Sequence, residues 1–103
     1  MTTLPLTPDT ILDAVAAVFP ATRDAITGPR RRRNECDARH CAAYILYKYL
    51  RYSNRQVGEI LGGRDHTTVA ISRQAFLNVY QTDRQYRYMA NRVLDRLGLI
   101  PLT

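Results

Sequence analysis

The chain has no tryptophan, a single lysine, two glutamates and two cysteines among its 103 residues. Each scarcity excludes something. Two cysteines cannot build the disulfide framework of a small secreted domain, and Cys36 and Cys41 fall on one expected helix. A reducing cytoplasm is therefore the expected compartment. No apolar run approaches the roughly 18 residues of a membrane span, so no membrane association is expected. Met1-Thr2-Thr3-Leu4-Pro5-Leu6 has no basic region and no long apolar stretch, so no signal peptide is expected either. No GxxxxGK[S/T] loop occurs, which removes P-loop nucleotide chemistry. Cys36, His40, Cys41 and His66 lack the paired ligand spacing of a zinc site. With only two glutamates as well, neither a cofactor nor an enzymatic activity is expected.

What is present is arginine. Fourteen of the 15 basic residues are Arg, only Lys48 is Lys, and the formal net charge is +6. Arg makes planar, bidentate contacts with phosphate and guanine, so the balance points toward nucleic acid, although a GC-rich genome produces the same bias. The charge is also localised. Residues 1–22 carry −2, residues 23–64 carry +6 from ten bases against four acids, and residues 65–103 carry +2. Its densest part is Arg30-Arg31-Arg32-Arg33, directly after Gly28-Pro29. A polyanion partner accounts for such a run; a solvated loop is the plainer alternative.

The apolar pattern predicts an all-α chain, a compact multi-helix domain spanning residues 1–103 with its core at about 8–97. Thr7-Pro8-Asp9 reads as an N-cap, followed by Ile11, Leu12, Val15, Val18 and Phe19 at helical spacing and a stop at Pro20. A short helix is expected over Thr22–Ile26, then a basic arm at 29–34. A long helix is expected over Glu35–Tyr52, with Ala42, Ile45, Leu46, Tyr49 and Leu50 on one side. Ser53-x-x-Gln56 is a capping box opening a short helix with Val57, Ile60 and Leu61 inward, and Gly62-Gly63 ends it. Asp65 caps the next helix, with Val69, Ile71, Phe76, Leu77 and Tyr80 available for burial. Thr82-x-x-Gln85 opens the last, whose Met89, Val93, Leu94 and Leu97 form a stripe. Residues 53–80 thus have the layout of a helix-turn-helix, whose second helix enters the major groove N-terminus first.

The start of that second helix, Arg64-Asp65-His66-Thr67-Thr68, is where base reading would fall. Asp65 can accept from the N4 amine of cytosine, and His66 can bond or pack against a base edge. Thr67 or Thr68 can offer a hydroxyl to phosphate or a methyl to thymine. The plainer reading makes Asp65 a cap and the threonines ordinary first-turn residues. Tyr44, Tyr47, Tyr49 and Tyr52, interleaved with Lys48 and Arg51, suggest a stacking platform. Their scatter around the helix favours packing instead.

The string Gly62-Gly63-Arg64-Asp65-His66-Thr67-Thr68-Val69 resembles the signature of the C-terminal DNA-binding domain of the bacterial replication initiator DnaA. The resemblance is ungapped from about Arg30 to Val69 and looser over 8–97. It implies a small all-helical, Trp-repressor-like fold. It also implies double-stranded DNA as the partner, at a DnaA-box-like site, with a monomer on the DNA and a nucleoid location. Matched by position, the implied base contacts are Arg31 in the minor groove, with Arg30, Arg32 or Arg33 able to take its place, and Asp65, His66 and Thr68 in the major groove. The implied backbone contacts are Arg30, Arg32, Arg33, Arg39, His40, Lys48, Arg55, Arg64 and Thr67.

Departures from the family pattern cluster at the backbone contacts. Asp37 and Ala38 stand where the family has Arg and Pro, and His40 replaces its Gln. Asn54-Arg55-Gln56-Val57-Gly58 replaces Leu-Pro-Glu-Ile-Gly, with Arg55 restoring charge. Tyr47 stands where the family has a basic residue, beside Lys48, and Leu50 replaces its Thr. The family's ATPase and N-terminal domains have no counterpart in these residues. The expected role is a stand-alone regulator of replication or transcription, phage- or plasmid-borne factors included. A protein–protein adaptor docking on replication proteins, with little DNA affinity, is the alternative that the Asp37-Ala38 change motivates.

Overall fold

Local side-chain chemistry starts most of the helices in the computed structural model, which describes residues 6–29 and 32–100. Helix α1 (Pro8–Val18) is opened by a reciprocal box: the Thr10 amide donates to the Thr7 hydroxyl at 3.2 Å, and the Thr7 amide to the Thr10 hydroxyl at 2.9 Å. Thr22 caps α2 (Arg23–Thr27) by accepting from the Ala25 amide. Helix α3 (Arg33–Tyr49) follows, then α4 (Asn54–Ile60) from the Ser53/Gln56 box, α5 (His66–Thr82) from Asp65, and α6 (Arg84–Arg96). Among the described residues there is no strand.

Three boundaries differ from the sequence reading. Helix α3 begins at Arg33, inside the expected arm, so Arg33 and Asn34 are helical. It ends at Tyr49 because Arg51 takes a left-handed φ of 57°, which no glycine or asparagine announces. The cap of α6 is Asp83, whose carboxylate accepts from the Tyr86 amide at 3.1 Å. Thr82 turns its hydroxyl back to the Asn78 carbonyl at 2.8 Å and so closes α5 instead.

Helix α3 is central, touching α1, α2, α4 and α5, and its buried Ala38, Ala42 and Ala43 keep those neighbours close. Ile11, Val15, Ile26, Leu46, Val57, Leu61, Val69 and Val93 fill the core, each worth about 1.5–3 kcal/mol of burial. Phe76 of α5 anchors an aromatic cluster. It stacks on Tyr44 with ring centroids 4.6 Å apart, and Tyr80 and Tyr86 lie 5.5 and 5.7 Å away. Burial pushes the Tyr86 hydroxyl's ionisation upward, and that hydroxyl donates to the Asp37 carbonyl at 2.9 Å. Tyr44 and Tyr49 are therefore used in packing and tethering; Tyr49 reaches the Ile100 carbonyl at 3.1 Å. One expected core residue points outward. Ile71 is 65% exposed, because Val69, Ser72, Phe76 and Tyr80 define the inward face of α5.

Candidate nucleic-acid interface

The α4–α5 pair is a helix-turn-helix whose turn is folded onto α4 itself. The Gly58 carbonyl accepts from the amides of Gly63 at 2.9 Å and Arg64 at 2.8 Å. Gly62 and Gly63 supply the positive φ values of 90° and 82° that reverse the chain. Gly58 must lack a side chain, since a Cβ there would overlap the Arg64 carbonyl. Gly62 is equally constrained, because a Cβ would overlap the Thr27 carbonyl. The turn is thus seated against the end of α2.

This turn presents Asp65, His66, Thr67 and Thr68, all exposed, at the N-terminus of α5. The Asp65 carboxylate accepts from the Thr67 amide at 3.3 Å and lies 3.0 Å from the His66 Nδ1. Asp65 is therefore a cap and also keeps accepting capacity toward solvent, since a carboxylate has more than one acceptor site. The unpaired amides and the macrodipole of a helix start favour an approaching phosphate.

A groove of about 550 Å³ runs from this helix start to the root of the basic run. Gly28, Pro29, Asp65, Thr68 and Ile71 line it, together with Cys36, Arg39 and His40 of α3. Of the residues expected at DNA, the structure brings Arg39, His40, Arg64, Asp65 and Thr68 to this groove. Lys48 lies elsewhere on the surface, beside Tyr47 and Arg51. Arg33 faces a different hollow, with Asp37 and Asp83. Arg32 and Arg55 are exposed, Arg32 just before α3 and Arg55 in the first turn of α4. Arg30 and Arg31 lie outside the described residues.

Two arginines take roles that the sequence reading did not give them. Arg39 is only 5% exposed. Its guanidinium donates to the carbonyls of Ile26 at 2.7 Å, Ala25 at 3.1 Å and Gly28 at 3.2 Å. In this position it closes the C-terminal end of α2, where orphan carbonyls need donors. Arg64 is half-buried and donates to the Gly28 carbonyl at 2.5 Å, to Thr27 at 3.3 Å and to Leu61. It thereby braces the turn before α5 against the end of α2. A third base, Arg23, is engaged by Asp9 at 2.8 Å and Asp13 at 3.0 Å. No local pattern marks most of these partners: all but the Leu61 carbonyl, three residues before Arg64, lie 10 to 37 residues away in sequence.

His40 has a depressed pKa, chiefly from burial. Asp37 opposes the shift and Arg39 adds to it. Its imidazole is thus neutral at pH 7 and offers the groove one donor and one acceptor rather than a charge. The unfolded chain then binds more protons than the folded one as the pH drops through about 6.5, so the contribution of His40 is present above that value and lost below it. Urea midpoints measured from pH 8 to pH 5 should fall, and His40→Gln should flatten the fall. An unchanged slope in the variant would assign it to other groups. Asp37, raised mainly by its own burial, acts in the opposite sense, gaining rather than losing stability as the pH falls.

Comparison with known proteins agrees with this geometry. The family described as Bacterial dnaA protein helix-turn-helix matches residues 8–75. The chain is 38% identical over 92 residues to the chromosomal replication initiator protein DnaA of Thermomicrobium roseum, covering 89% of the chain and 20% of that protein. It is 35% identical over 92 residues to that of Roseiflexus castenholzii, covering 89% and 19%. With the protein of the same name from a Synechococcus strain it shares 30% over 95 residues, covering 92% and 20%. The chain thus spans about a fifth of the length of the curated relatives it matches. For a domain of this kind the implied activity is DNA binding. By the match over most of its length, the chain belongs to the bacterial DnaA helix-turn-helix family.

Proposed function

We propose that the protein reads double-stranded DNA at a DnaA-box-like site, as a monomer, with the start of α5 in the major groove and the Arg30–Arg33 run in the adjacent minor groove. The observation that carries this reading is the exposed tetrad Asp65-His66-Thr67-Thr68 on the second helix of a helix-turn-helix, with Asp65 and Thr68 lining the groove that reaches Gly28 and Pro29. Asp65, His66 and Thr68 contact bases and Thr67 a phosphate; Arg32, Lys48 and Arg55 add phosphate contacts from exposed positions. These 103 residues suffice for the reading, no step of it uses ATP, and occupancy of the site regulates replication or transcription. Each good base contact contributes about 1–3 kcal/mol of discrimination, so a few residues separate the box from random sequence.

Titration of box and scrambled duplexes over a salt series tests this. A clear preference for the box is expected, with a log–log salt slope of about −0.9 for each phosphate contacted. Asp65→Asn keeps the cap, because Asn caps as well as Asp, but exchanges an acceptor for a donor at the base edge. It should relax the preference while leaving stability near wild type. Arg55→Ala should weaken both duplexes alike and make the slope shallower by about 0.9. Equal affinity of the wild type for the two duplexes would remove the reading. Capture of a replication protein, insensitive to Asp65→Asn and without duplex binding, would put the adaptor role in its place.

A further inference from the structure

Four large apolar side chains are exposed among the described residues: Tyr47, Ile71, Tyr88 and Ile100. The two tyrosines have cationic company. The Arg73 guanidinium lies 3.2 Å from the Tyr47 ring centre, and Arg92 lies 5.9 Å from that of Tyr88. Ile100 is the last described residue. Ile71 differs from all three, standing on α5 one turn beyond Thr67 and Thr68 and lining the same groove as Asp65 and Thr68.

Neither packing nor helix formation accounts for an isoleucine at this place. It is 65% exposed, and a β-branched side chain lowers helix propensity. The face around it is suited to a polyanion: from His66 to Thr82 the helix contains no acidic residue and a single charged one, Arg73. A helix turn advances about 5.4 Å, between one and two base-pair rises of about 3.4 Å, so with α5 lying along the major groove Ile71 would face the step just beyond the bases at Thr67 and Thr68. The major-groove floor offers one apolar feature to such a side chain, the thymine 5-methyl group. We infer that Ile71 is a specificity-determining residue that packs against a thymine methyl one or two base pairs beyond those read by Asp65, His66 and Thr68. The inference rests on the DNA-reading role proposed above.

The test uses the full chain and the duplex it selects from a random pool. Each thymine is replaced in turn by uracil, which lacks only the methyl. One replacement should weaken wild-type binding roughly fourfold, the value of one buried methyl group. That loss should vanish in Ile71→Ala, whose melting temperature should match wild type because the position is exposed. It should persist in Thr68→Ser, which removes only the competing Thr68 methyl. A thymine-to-uracil loss unchanged in Ile71→Ala, or cancelled instead by Thr68→Ser, would overturn the assignment while leaving the DNA-reading role standing. Absence of any selected sequence would remove that role and this inference together.

Discussion

Arg39→Ala should cost the fold about 4 kcal/mol or more and lower the melting temperature by roughly 15–30 °C, well before any effect on DNA is measured. The magnitude follows from what the guanidinium holds. Three carbonyls, of Ala25, Ile26 and Gly28, lose a charged donor at once, and that of Ile26 is buried. Hydrogen bonds to charged groups contribute about 1.5–3 kcal/mol each, and the buried Ile26 carbonyl, left without this donor, adds its own penalty. Arg39→Lys should fall between the two, since a compact ammonium cannot span three acceptors held by a planar fork. Thermal melts followed by circular dichroism read this directly. A variant that melts within a few degrees of wild type yet binds all duplexes weakly would restore Arg39 to the phosphate contacts.

Gly58→Ala is expected to be of comparable severity, about 3 kcal/mol or more, by a steric route. The added methyl would occupy the place of the Arg64 carbonyl, so α4 and α5 could not keep their approach. The amides of Gly63 and Arg64 would also lose their seat on the Gly58 carbonyl. Gly63→Ala makes the contrast. A methyl there meets nothing within 4 Å, and only the positive φ opposes it, at about 1–2 kcal/mol. Denaturant midpoints should therefore rank wild type, Gly63→Ala, Gly58→Ala in falling order, with box preference lost only in the last. Equal losses at the two glycines would show that backbone conformation, not contact, governs the turn.

What could be read from the sequence was whatever is decided within one helical turn. Ser53 with Gln56, and Asp65 with the Thr67 amide, act over two or three residues, and both caps stand where the spacing placed them. The tetrad after Arg64 owes its exposure to the same local geometry. Thr82 and Asp83 show the limit of such signals: both are good caps, adjacent, and only packing of α6 decides between them. Arg39 and Arg64 lay beyond it altogether. A charge run reads as a surface, and nothing near residue 39 or 64 announces that their acceptors are carbonyls at the end of α2. Ile71 failed for the opposite reason. Its apolar side chain fits a helical core pattern, but the inward face of α5 had already been taken by Val69, Ser72 and Phe76.

One carbonyl is held from two sides: the oxygen of Gly28 accepts from both Arg39 and Arg64. It belongs to the residue from which the basic run departs, and Arg64 immediately precedes the cap of α5. The chain just before the basic run and the chain just before the cap of α5 are thus tied at a common point, like the arms of a calliper at its pivot. Such a tool measures as well as reads. Inserting one base pair between the two contacted zones would turn them about 35° relative to each other, given 10–10.5 base pairs per turn. A site with every letter intact but wrongly spaced should then be rejected on gauge alone.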